Sequence, residues 1–105
     1  MEETRFSVEG NGTGTIRIRL TGRLDLETST ALKPQLESLL LSEPDLADVT
    51  IDIADVSYMA STGIGMFVSL LSLSRQQGFA FTVRNARPAV MRIIETLGLD
   101  GLVVS

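Results

Sequence analysis

The residues best suited to chemistry stand together at positions 55–65, in the stretch DVSYMASTGIG. Two adjacent hydroxyls, Ser61 and Thr62, precede Gly63 and Gly65, where a strand-like run gives way to a helical one. A hydroxyl at such a junction can act as a nucleophile, a helix cap or a phosphoryl acceptor. Nucleophilic attack needs a base to take the proton, and the chain contains no histidine and no cysteine. The pattern also departs from the G-x-S-x-G elbow of hydrolases. The other two uses stay open. Ser and Thr are favoured N-cap residues, stabilising a helix by about 1 kcal/mol. A phosphate on Ser61 would add roughly −1.5 to −2 charges and three acceptor oxygens. It would do so where unpaired N–H groups and the helix dipole favour an anion. Each glycine in the first helical turn is about 0.5–1 kcal/mol less favourable than alanine. Both leave backbone uncovered for a large surface to approach.

The helix that follows is expected over 61–77, closed by Gly78. At 100° per residue Ile64, Phe67, Val68 and Leu71 share a face directed at the sheet. Met66, Leu70 and Leu73 fall nearly opposite, where an ordinary amphipathic helix would be polar. Such a stripe beside Ser61 fits a docking surface for a protein partner. It fits equally a helix buried on both sides, or a contact between two copies.

Other elements must position this stretch. Alternation in residues 4–8 and 15–20, around the glycine-rich segment 10–14, reads as an antiparallel hairpin. No helix follows those glycines, so they read as a turn rather than a phosphate loop. Thr21-Gly22 ends the second strand. Leu32, Leu36, Leu39 and Leu40 then mark a first helix, with Thr28 or Ser29 as its N-cap. Pro34 requires that helix to start late or to kink, and Glu43-Pro44-Asp45 breaks it. Val49, Ile51 and Ile53 mark a third strand, and Phe79, Phe81 and Val83 a fourth. Pro88 opens a last helix with Val90, Ile93, Ile94 and Leu97 on its apolar side, ending at Gly98. Leu102-Val103-Val104 could add a final short strand. The expected fold class is α/β, in the order ββαβαβα, with parallel pairing after the first hairpin.

The chain has 105 residues, enough for one domain with a single core, and a formal charge of −4. The acidic balance argues against nucleic acid as a partner, because phosphate binding relies on basic patches. Without cysteine or histidine, disulfides, thiolate metal sites and a zinc centre are excluded. No signal peptide and no membrane-spanning run stand out. A soluble cytoplasmic domain without cofactor or metal is expected.

The stretches GRLDLETSTALKPQLESLL, DVTIDIADVSYMASTGIG and RNARPAVMRIIETLGLDGLV together resemble the STAS domain. More narrowly, the sequence is similar to bacterial anti-sigma factor antagonists. The likeness covers essentially the whole chain, 1–105, as one domain, and the D-x-S-x-x-x-S-[ST]-G-x-G element is specific. It implies a small mixed sheet flanked by helices, and a regulator rather than an enzyme. It also implies partner switching. The unphosphorylated domain binds an anti-sigma factor, which then releases its sigma factor. That anti-sigma factor is also an ATP-dependent serine kinase that phosphorylates the antagonist, and a PP2C-type phosphatase reverses the mark. The acceptor falls on Ser61, with Thr62 as the alternative. Asp25, Asp55 and Ser57 occupy matched positions expected near the same end of the sheet. With Ala60, Gly63, Gly65 and the Met66, Leu70, Leu73 stripe they make up the expected partner surface, on a monomer or weak dimer. Phosphorylated members commonly carry Asp before the acceptor, and here that residue is Ala60. Some STAS domains are not phosphorylated and serve as accessory or scaffold subunits in transport, lipid-transport or stress-signalling assemblies.

Overall fold

Apolar residues at every second position make the central strands one-sided. In β2 (Thr15–Leu24), Ile16, Ile18 and Leu20 are buried while Arg17 and Arg19 are exposed. The computed structural model, which describes residues 4–10, 12–43 and 45–104, places β2 second in a five-stranded sheet of order β1-β2-β3-β4-β5. β1 (Arg5–Gly10) runs antiparallel to β2. β3 (Asp48–Met59), β4 (Ala80–Arg84) and β5 (Val103–Val104) continue the sheet in parallel. Each crossover steps one strand in the same direction. Right-handed connections therefore put α1 (Leu26–Leu41), α2 (Ser61–Gln77) and α3 (Pro88–Thr96) on one face. There Ile18, Ile51, Val83, Leu36, Phe67 and Ile94 join a single buried cluster. The order ββαβαβα holds, with a short 3-10 turn and β5 added at the end.

Three expectations change. β2 does not stop at Thr21-Gly22: Gly22 takes a positive φ of 93° at an irregularity in the register, and the strand runs on to Leu24. β3 does not end at Ile53 but extends through the whole D-x-S element to Met59. α1 starts early, with Pro34 in its interior. Its N-cap is Asp25, not Thr28 or Ser29. The Asp25 carboxylate accepts from the Thr28 N–H (3.0 Å) while the Thr28 hydroxyl accepts from the Asp25 N–H (2.9 Å). This reciprocal cap fixes the helix start well before the proline. Asn11 of the glycine-rich turn and Pro44 of the helix break lie outside the described residues. Gly14, at φ 87°, accepts through its carbonyl from the N–H groups of Ala47 and Asp48. Any Cβ at Gly14 would meet the Asp45 carbonyl, so this glycine serves the fold.

The face of the sheet away from the helices is polar and centres on Asp52, which is 3% exposed. Burial pushes its carboxyl up. The Ala54 N–H at 2.9 Å, the Arg17 guanidinium at 2.6 Å and the Asn85 side chain outweigh that and hold it below the ordinary range. Asp25 is also held low, chiefly by the Thr28 N–H and hydroxyl. A depressed folded pKa contributes stability above the unfolded value that is lost as pH falls through the folded one. Urea unfolding should therefore show stability declining below about pH 4. Asp52→Asn should be less stable at neutral pH, with a shallower acid decline.

Candidate functional site

The site stands at the carboxyl ends of β2 and β3. The pairing of β3 with β4 ends at Asp52 and Arg84, whereas its pairing with β2 continues to Leu24 and Met59. This two-stranded extension delivers two helix starts side by side, α1 from Leu24 and α2 from Met59. The Ala60 N–H bonds the Leu24 carbonyl at 2.8 Å and ties them together.

The two starts are treated differently. Asp25 caps α1, but α2 has Ala60 at its N-cap and no side-chain cap bond. Ser61 and Thr62 are not caps. They are the first two helical residues, both exposed, and among the described residues neither hydroxyl has a hydrogen-bond partner. The Ala60 carbonyl accepts from the N–H groups of Gly63 (2.9 Å) and Ile64 (3.3 Å), closing the first turn. What remains is a bare positive helix end carrying an unengaged hydroxyl.

The glycines separate into two kinds. A Cβ on Gly63 would come within 3.0 Å of the Met59 side chain and 3.1 Å of both the Leu24 Cβ and carbonyl. A side chain on Gly63 would therefore crowd Leu24 and Met59 unless both gave way by a few tenths of an ångström. Gly65 is exposed, has no positive φ, and a Cβ there would meet nothing within 4 Å. The fold gives no reason for it.

The stripe of Met66, Leu70 and Leu73 is not an outer surface. Met66 is 2% and Leu70 0% exposed, and Leu73 packs partly buried against the core. α1 lies along α2 and covers this side, because both crossovers share one face of the sheet. Val68, expected against the sheet, is 42% exposed instead. Asp55 is exposed on the β3 extension, and Ser57 is half-buried with its hydroxyl donating to the Gly22 carbonyl at 3.4 Å. Asp55 and Ser57 thus stand on the strand extension that leads to Ala60, and Asp25 is engaged as the cap of α1.

Three residues missed by sequence reasoning line the same end. Leu26 is 66% exposed at the first position of α1, and Tyr58 is 38% exposed. The Arg23 guanidinium stacks 4.4 Å from the centroid of the Tyr58 ring. Tyr58 became visible only once the strand was seen to continue to Met59. Nothing in the periodicity marks Leu26 as exposed. The apolar part of this surface therefore comes from the first helix and the strand extension, not from the side of α2.

Chemically, the site offers two exposed hydroxyls at a helix N-terminus, and among the described residues no side-chain base is hydrogen-bonded to either. Among the described residues no cluster of His, Cys, Asp or Glu could hold a metal ion. No helix among them is long and apolar enough to cross a membrane.

Residues 9–104 match the family model described as Mlab, STAS domain. The chain is 31% identical over 88 residues to the anti-sigma-B factor antagonist of Bacillus subtilis (strain 168), covering 84% of this chain and 78% of that protein. The anti-sigma factor antagonist SpoIIAA in its unphosphorylated form shares the fold with a TM-score of 0.80 at 20% identity, over 95% of this chain and 86% of that one. The Bacillus cell fate determinant SpoIIAA in its phosphorylated form has a TM-score of 0.72 at 18% identity, over 95% and 89%.

Denaturation of single variants tests the geometry. Gly65→Ala should raise stability by about 0.5–1 kcal/mol, and Ala60→Asp by about 1 kcal/mol through the missing cap. Gly63→Ala should lower the urea midpoint, because the new Cβ would crowd the Leu24 carbonyl and the Met59 side chain.

Proposed function

The chain belongs to the STAS domain family, and from that premise we propose that it is an anti-sigma factor antagonist switched by reversible phosphorylation of Ser61. The observation that carries the reading is the exposed, unbonded Ser61 hydroxyl at a helix start, beside a glycine that the fold does not need. The unphosphorylated end of the domain docks on an anti-sigma factor. Bare backbone at Gly65 permits close approach, while Leu26 and Tyr58 supply apolar area and Asp55 a charged rim. The anti-sigma factor releases its sigma factor in exchange.

The same partner, acting as a kinase, transfers the γ-phosphoryl group of ATP to the Ser61 Oγ. The Oγ–P bond forms, the bond to ADP breaks, and the hydroxyl proton leaves to a base on the kinase. At the first position of α2 the resulting dianion is favoured by the helix dipole, so the helix stays folded. The charge must be desolvated in any docked complex, which opposes binding. A PP2C-type phosphatase restores the docking form. A cytoplasmic location follows from these partners. Thr62, one position further along, is the alternative acceptor.

A second reading has its own support: a STAS subunit that binds constitutively within a larger assembly. Ala60 stands where phosphorylated members of the family commonly carry Asp, and the matching family model is described as Mlab.

Incubation with the cognate kinase and labelled ATP, followed by phosphopeptide mapping, separates the readings. Incorporation of one phosphate, abolished by Ser61→Ala, supports the switch. Undiminished labelling of Ser61→Ala, or stable co-purification with no labelling, supports the alternatives. Gly65→Ala should weaken binding to the partner by about tenfold, the effect of a clash of roughly 1.4 kcal/mol, although it stabilises the free domain.

A further inference from the structure

We propose that two copies of this chain associate through their β1 strands, which pair antiparallel about Ser7 to join two sheets into one. β1 is an edge strand, and among the described residues no strand pairs with its outer side. Natural edge strands are commonly protected by proline, lysine or a bulge. β1 has none of these: its sequence is RFSVEG, and its ladder with β2 is regular from Arg5 to Gly10.

The sequence of the strand is complementary to itself. In an antiparallel pair centred on Ser7, Arg5 of each copy lies opposite Glu9 of the other, and Phe6 lies opposite Val8. Two cross-strand ion pairs form on the polar face and two apolar pairs on the helix side. Shifting the register by one pair in either direction separates the charges and leaves Arg5 or Glu9 facing Ser7. The apolar side also has room for a second copy. A groove of about 370 Å³ runs beside Phe6 toward α1, lined by Thr28, Ala31, Leu32 and Gln35. Val8 is 40% exposed, and from the second copy it would cover Phe6 at the mouth of that groove. The contact is isologous, with one two-fold axis, so it closes at a dimer and does not propagate into a filament. Main-chain hydrogen bonds supply most of the affinity and the charges set the register. An interface of six residues from each strand is small, so the dimer forms reversibly and with low affinity. It lies along the strand edge, away from α2, so both copies keep a free Ser61.

Sedimentation over a concentration series tests this on the unmodified chain. The mass should rise reversibly toward twice the monomer's. Arg5→Glu and Glu9→Arg should each weaken association by about tenfold, and the double swap should restore it, with circular dichroism confirming each fold. Because the chain has no cysteine, Ser7→Cys adds an independent arm. It should form an interprotomer disulfide faster than Thr30→Cys, which is exposed on α1. A monomer that persists to about 1 mM, failure of the double swap to restore association, or equal cross-linking at Ser7 and Thr30 would overturn the proposal. Any of these results would leave the Ser61 switch untouched.

Discussion

The structure turns on the close contact between the first turn of α2 and the end of β2. The Ala60 N–H reaches the Leu24 carbonyl at 2.8 Å, and Gly63 packs so closely that a side chain there would crowd Leu24 and Met59. Without that approach, α2 could not begin directly on the strand extension. With it, the helical phase is fixed: Gly63, Ile64, Met66 and Phe67 turn inward, and Ser61, Thr62 and Gly65 turn outward. Close packing at one glycine therefore turns the hydroxyls of Ser61 and Thr62 outward.

Electrostatics then distinguishes two neighbouring helix ends. α1 is closed by Asp25 and Thr28, and the Thr28 N–H and hydroxyl hold the Asp25 carboxyl below its ordinary range. α2 carries alanine at the same position and keeps its N–H groups without a side-chain acceptor. A negative charge arriving at Ser61 completes that end electrostatically instead of disrupting it. In the proposed switch the scaffold does not move. Charge appears on a rigid edge, and the partner's binding free energy registers the change. This differs from switches that melt or order a segment.

Much of this was legible in the sequence, for identifiable reasons. Strict alternation gave β2 and β4, Gly78 ended α2, and Pro88 opened α3, because each depends on local chemistry. Errors arose where tertiary structure overrode a local signal. Gly22 looked like a strand end but is an irregularity within β2, since parallel pairing with β3 continues past it. Pro34 pointed to a late start or a kink, but the Asp25 cap begins α1 earlier and leaves the proline in its interior. The stripe of Met66, Leu70 and Leu73 fitted a docking surface and a doubly buried helix equally, because periodicity cannot tell a face covered by another helix from one awaiting a partner, and Met66 and Leu70 are buried. The exposed Leu26 and the Arg23–Tyr58 stack depend on where the strands end, which hydropathy does not encode. The motif around Ser61 stood out throughout, but the separate reasons for Gly63 and Gly65 needed coordinates.

The central claim is that a charge at Ser61 controls binding without unfolding the domain. It is tested most directly by preparing the Ser61-phosphorylated protein and measuring its Tm and its Kd for the anti-sigma factor beside the unmodified form. An equal or higher Tm is expected, from the anion at the helix start, together with affinity weaker by roughly two to three decades. An unchanged Kd would contradict the switch. A clearly lowered Tm with loss of helix would contradict the rigid scaffold on which it rests.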